Sequence, residues 1–128
     1  MAEKKVYTNA EINAALKKAL EAKGDDYVYE KDSNGRCHYA VNGEPSCIVG
    51  HVLHALDPEM FEAVADFEGD YDKSRGDNTF RNVAQSLNLP FHGDQVIALA
   101  RVQRDQDAGE TWGTAVATEW IAALGERL

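Results

Sequence analysis

The chain has 128 residues, 44% of them hydrophobic, with 13 lysines and arginines against 22 aspartates and glutamates, a net charge of -9. That length suits one domain over residues 1–128, with a core large enough to need no staple. The acid excess argues against nucleic-acid binding, which rests on clustered cations, and permits a basic protein partner.

The start, MAEKKVYTNAEINAAL, is charged and amphipathic, without the apolar run of a signal peptide. No stretch approaches the ~20 apolar residues of a membrane span, so a cytoplasmic protein with no membrane contact is expected. Thr8 and Glu11 have capping-box spacing, and Ile12, Ala15, Leu16, Ala19 and Leu20 recur at helical intervals until Gly24. A helix over 9–23 is predicted. Asp26-Tyr27-Val28-Tyr29-Glu30 and Arg36 to Val41 are rich in strand formers around Asn34-Gly35, which predicts an antiparallel hairpin over residues 26–41. Such a hairpin must pack on helices, and its open edge could pair across a homodimer.

Asn42-Gly43 makes another turn, and Pro45 and Ser46 open a helix over 46–56. Asp57-Pro58 restarts a helix over 58–67. The polar run Glu68 to Gly76 reads as a loop, and Asp77 or Asn78 caps the next helix, which stops before Pro90. A helix over 93–107 ends at Gly109. Thr111 or a neighbour opens the last, where Trp112, Val116 and Trp120 share one face as core residues. The fold class is α+β: a mostly helical single domain of five to six helices with one small hairpin.

Both cysteines and three of four histidines lie between Cys37 and His54. On a helical projection of 46–56, Ile48, Val49, Val52, Leu53 and Leu56 form one face, with Cys47, Gly50, His51 and His54 opposite. A helix with a glycine on its second face is a central one that lets another backbone come close. Three chemistries compete for this stretch. Cys37, Cys47, His51 and His54 could bind zinc, although nine residues separate the cysteines and the usual short knuckle is missing. Cys47 could be a nucleophile at a helix start, although no orienting group is identifiable. The preferred reading is structural, a buried thiol and histidines at the core edge.

The segment from Asp57 to Asp77 holds eight acidic residues and two basic ones. An EF-hand counted from Asp70 fails, because Arg75 and Arg81 stand where glycine and glutamate are needed. The segment could instead dock a basic partner, with Asp66, Phe67, Glu68, Asp70, Tyr71 and Asp72 as contact residues. Between Gln103 and Gly113, glycine and cap residues account for the pattern without a ligand. There is no phosphate loop, GxGxxG, HExxH or GxSxG.

Cys37-x-Tyr39, then Pro45-Ser46-Cys47-Ile48-Val49-Gly50-His51-Val52-Leu53, then Gln106-Asp107-x-Gly109-x-Thr111-Trp112-Gly113 resemble, in that order, a pattern in small accessory proteins of actinobacterial phages. The resemblance carries no activity, so no catalytic residue transfers with it. It implies a phage product made in the host cytoplasm, of a kind that often acts by binding host or phage proteins. The expectation is therefore a non-enzymatic binding protein, with a zinc protein and a cysteine-dependent enzyme as the alternatives.

Overall fold

The computed structural model describes residues 6–29, 38–74 and 79–124, with the side chains of 69–74 left aside. In chain order the elements are α1 (Asn9–Lys23), β1 (Ala40–Val41), β2 (Glu44–Pro45), α2 (Ile48–Leu56), α3 (Pro58–Ser74), α4 (Phe80–Leu87) and α5 (Gly93–Asp107). A last helical segment follows as α6 (Trp112–Ala115), a π-helical stretch (Val116–Ile121) and α7 (Ala122–Leu124). The domain is mostly helical with one small antiparallel sheet. No helix among the described residues is long and apolar enough to cross a membrane.

The capping box at α1 forms as the sequence requires: Glu11 N donates to Thr8 Oγ1 at 3.1 Å, and Thr8 N donates to the Glu11 carboxylate at 2.9 Å. Its apolar stripe, Ile12 to Leu20, is buried and packs chiefly on α2. α2 is the centre of the fold, in contact with α1, α3, α5 and β2. Gln95 ties the N-terminal segment down, donating from Nε2 to Tyr7 O at 2.9 Å and to Asn9 Oδ1 at 2.8 Å. Trp112, Val116 and Trp120 are buried as expected, and Trp120 Nε1 donates to Asn13 Oδ1 at 3.1 Å.

The hairpin lies later than the sequence suggests. Ala40 faces Pro45 and Val41 faces Glu44, joined by Asn42 and Gly43 with φ of 54° and 80°. Two central residues at positive φ are what the tight primed turn needs, and Asn-Gly supplies them. The expected tip, Asn34-Gly35, lies outside the described residues. At 26–29 there is no strand, because the backbone bonds there go to a helix start: Trp112 N donates to Tyr27 O at 2.9 Å and Gly113 N to Asp25 O at 2.8 Å.

α3 also differs from expectation, continuing through 68–74 where a loop was predicted. Met60, Phe61, Val64, half-buried Phe67 and buried Glu68 form one continuous inward stripe. The helix persists because Glu68 occupies an inward position on it. α4 is capped by Thr79, whose Oγ1 accepts from Asn82 N at 3.5 Å; Asp77 and Asn78 lie outside the described residues.

Candidate functional site

The start of α2 is buried, so its free amides need partners. Cys47 is the N-cap; its Sγ accepts from Gly50 N at 3.4 Å and donates to Gln103 Oε1 at 3.1 Å. Ile48 N donates to Gln106 Oε1 at 2.8 Å, and Gln106 Nε2 donates to Asp107 Oδ1 at 2.7 Å. Two glutamines of α5 thus complete the cap of α2. The strand side joins it, with Ser46 N donating to Tyr39 O at 3.0 Å and Cys47 N to His38 O at 2.9 Å. Gly50 is required there, since a Cβ would stand 2.1 Å from Tyr39 O. Burial, then the nearby Cys47 and Glu68, push the Tyr39 hydroxyl well above the usual tyrosine range, so it stays protonated.

The remaining candidates on α2 are parted by their neighbours. Cys47 faces α5. The half-buried His51 ring stands edge-on to Trp112 at 5.4 Å between centroids, and exposed His54 stands edge-on to Phe61 at 5.2 Å. His51 Nε2 and Trp112 Nε1 are buried without a hydrogen-bond partner among the described residues. Burial lowers the His51 pKa below 6.5, and Lys23 and His54 add to the effect. No group of three or more His, Cys, Asp or Glu among the described residues is placed to share a metal ion; Cys37 lies outside them. A fully buried thiol that donates to an amide oxygen is set up as a cap and core group.

The acidic region divides into an inner and an outer part. Glu68, expected at a partner surface, is only 4% exposed. Its carboxylate accepts from Tyr39 N at 3.0 and 3.1 Å and from Ala40 N at 3.3 Å, with His38 Nδ1 at 3.4 Å. It is a structural clamp that gives the amides of Tyr39 and the first residue of β1 their acceptor, and its carboxylate is turned into the fold. Asp66 is exposed, while Phe67 is half-buried against the core. The side chains of Asp70, Tyr71 and Asp72 lie outside the described ones. Glu59 and Glu62 join Asp66 on the outer face of α3, with exposed Ala63 between them.

A second charged feature escaped the sequence reading. Arg81 on α4 and Arg101 and Arg104 on α5 line one open groove of about 650 Å³, floored by Ile97 and edged by Asn82 and Gln85. These are all the arginines among the described residues. Arg104 donates to Glu119 at 3.1 Å and to Asp105 at 3.4 Å, whereas Arg81 and Arg101 have no carboxylate within 4.0 Å among the described residues. The neighbouring Asp105 carboxyl, together with burial, raises the Glu119 pKa above 4.5, and Arg104 and Arg101 oppose this. Residues 97, 101 and 104 share a helix face, which spacing could have revealed; that Arg81 faces them from 20 residues away could not be read.

No family model, curated protein or solved structure matches the chain.

Proposed function

We propose that this chain works by binding a protein partner rather than by catalysing a reaction, as a small accessory protein of an actinobacterial phage acting in the host cytoplasm. One observation carries the reading. Among the interior side chains that could have done chemistry, Cys47, Glu68, Gln95, Gln103 and Gln106 are hydrogen-bonded within the fold, and His51, whose Nε2 has no partner among the described residues, stands against the Trp112 ring with no nucleophile or acid group beside it to complete a catalytic set. What faces solvent is charge, and the outer face of α3 presents Glu59, Glu62 and Asp66 at i, i+3 and i+7. That row suits a basic protein surface, where complementary charge sets encounter rate and register. The phage setting rests on the resemblance of the Cys37–Tyr39, Pro45–Leu53 and Gln106–Gly113 blocks.

The test is a triple reversal, Glu59→Arg, Glu62→Arg and Asp66→Arg, in tagged protein used to capture partners from actinobacterial lysate. Loss of a partner that the unaltered protein retains, with the melting temperature unchanged, is the expected result. Equal capture by both proteins overturns this surface.

A further inference from the structure

The arginine groove names a partner for the acidic face. We infer that a second copy of this chain docks the outer face of its α3 into the groove between α4 and α5. The inference rests on the reading of the acidic face given above.

Both halves of the contact have matching dimensions and opposite charge. The groove follows α4 from Thr79 to Asn88, continuing past Arg81 and Gln85 into a further hollow of about 330 Å³. The eight residues of α4 and the eight from Glu59 to Asp66 each span about 12 Å at the helical rise. On the groove side Arg101 and Arg104 are i and i+3 on α5, with Arg81 across from them. On the helix side Glu59 and Glu62 are also i and i+3. Between the acids, Ala63 is small enough to let the helix settle on Ile97, which is 41% exposed at the groove floor. This is helix-in-groove docking with a charged rim around an apolar contact.

Other occupants fit less well. A small anion would leave so open a trough largely in water, whereas small-ligand sites bury most of their ligand. A polynucleotide needs a run of free cations, and this groove offers only three arginines, of which Arg104 already bonds Glu119 and Asp105. The two patches are different surfaces of one chain, so docking one face into one groove is heterologous and builds rings or open strings, whereas reciprocal docking of both pairs closes a twofold dimer.

Sedimentation velocity over a concentration series, in low and in high salt, tests this. The unaltered chain is expected to associate with rising concentration, and high salt should weaken it. A groove variant, Arg81→Glu with Arg101→Glu, and a face variant, Glu59→Arg with Glu62→Arg, should each associate roughly tenfold more weakly or worse. An equal mixture of the two should regain association, because the first keeps its acidic face and the second its groove. Arg81→Gln with Arg101→Gln replaces the groove variant if reversal disturbs folding. An unaltered chain that stays monomeric throughout, or a mixture that behaves like its separate components, overturns the inference. Lysate capture separates this failure from failure of the acidic face. A protein kept by the groove variant and lost by the face variant means that the face serves another partner and self-docking is wrong. If neither variant changes capture or association, both readings fall.

Discussion

Cys47 and Glu68 show how far a single residue's type can mislead about its work. A cysteine beside two histidines suggests chemistry, yet Cys47 caps a helix whose start is buried. In a Cys37→Ser background, Cys47 should react with iodoacetamide only as fast as the protein unfolds; rapid native labelling would revive the thiol-enzyme reading. Glu68 was read as surface because carboxylates belong in water by default. Its seat is made by the amides of Tyr39 and Ala40, 29 and 28 residues earlier in the chain, a pairing no local pattern encodes. Glu68→Ala leaves those amides buried without an acceptor and should cost about 3 kcal/mol in urea unfolding. Glu68→Gln should cost less, since one amide oxygen still accepts.

At the level of elements, helices were legible wherever apolar residues recurred at helical spacing, as at α1, α2 and α5, although α2 begins at Ile48 behind a Cys47 cap rather than at Pro45 and Ser46. The glycine on the second face of α2 was legible too, and its reason is Tyr39 O. Gly50→Ala should destabilise the domain by about 3 kcal/mol, the upper range for overpacking, because the obstacle is backbone and cannot swing aside. Thermal or urea unfolding measures this, and a neutral outcome would mean that α2 and the strand can separate cheaply. The hairpin was misplaced for a physical reason: Tyr27, Val28 and Tyr29 are strand-like in composition, but the carbonyls of Asp25 and Tyr27 serve the start of α6. The π-helical stretch left no trace in the sequence, since one wider turn still keeps Val116 and Trp120 inside.

For the molecule as a whole, a net charge of -9 hides a separation: acids along α3, arginines between α4 and α5. Summed charge argues against a polyanion partner, but a sum cannot show where cations gather. Stability should also respond to pH through His51. Its folded pKa is lowered, so the unfolded chain takes up the proton first. Its stabilising share is whole above the ordinary value of 6.5 and is lost as pH falls through the lowered folded value. His51→Phe should flatten that part of the stability profile in unfolding titrations; an unchanged slope would assign it to another group. The glutamine caps carry a consequence for how the chain is made. Gln103 and Gln106 follow their partners on α2 by 56 and 58 residues, and Trp120 follows Asn13 by 107. On the ribosome the central helix therefore emerges with its start unclosed and waits for α5. Folding of the domain becomes one late event that follows the emergence of α5 and Trp120, and until then its core lies open.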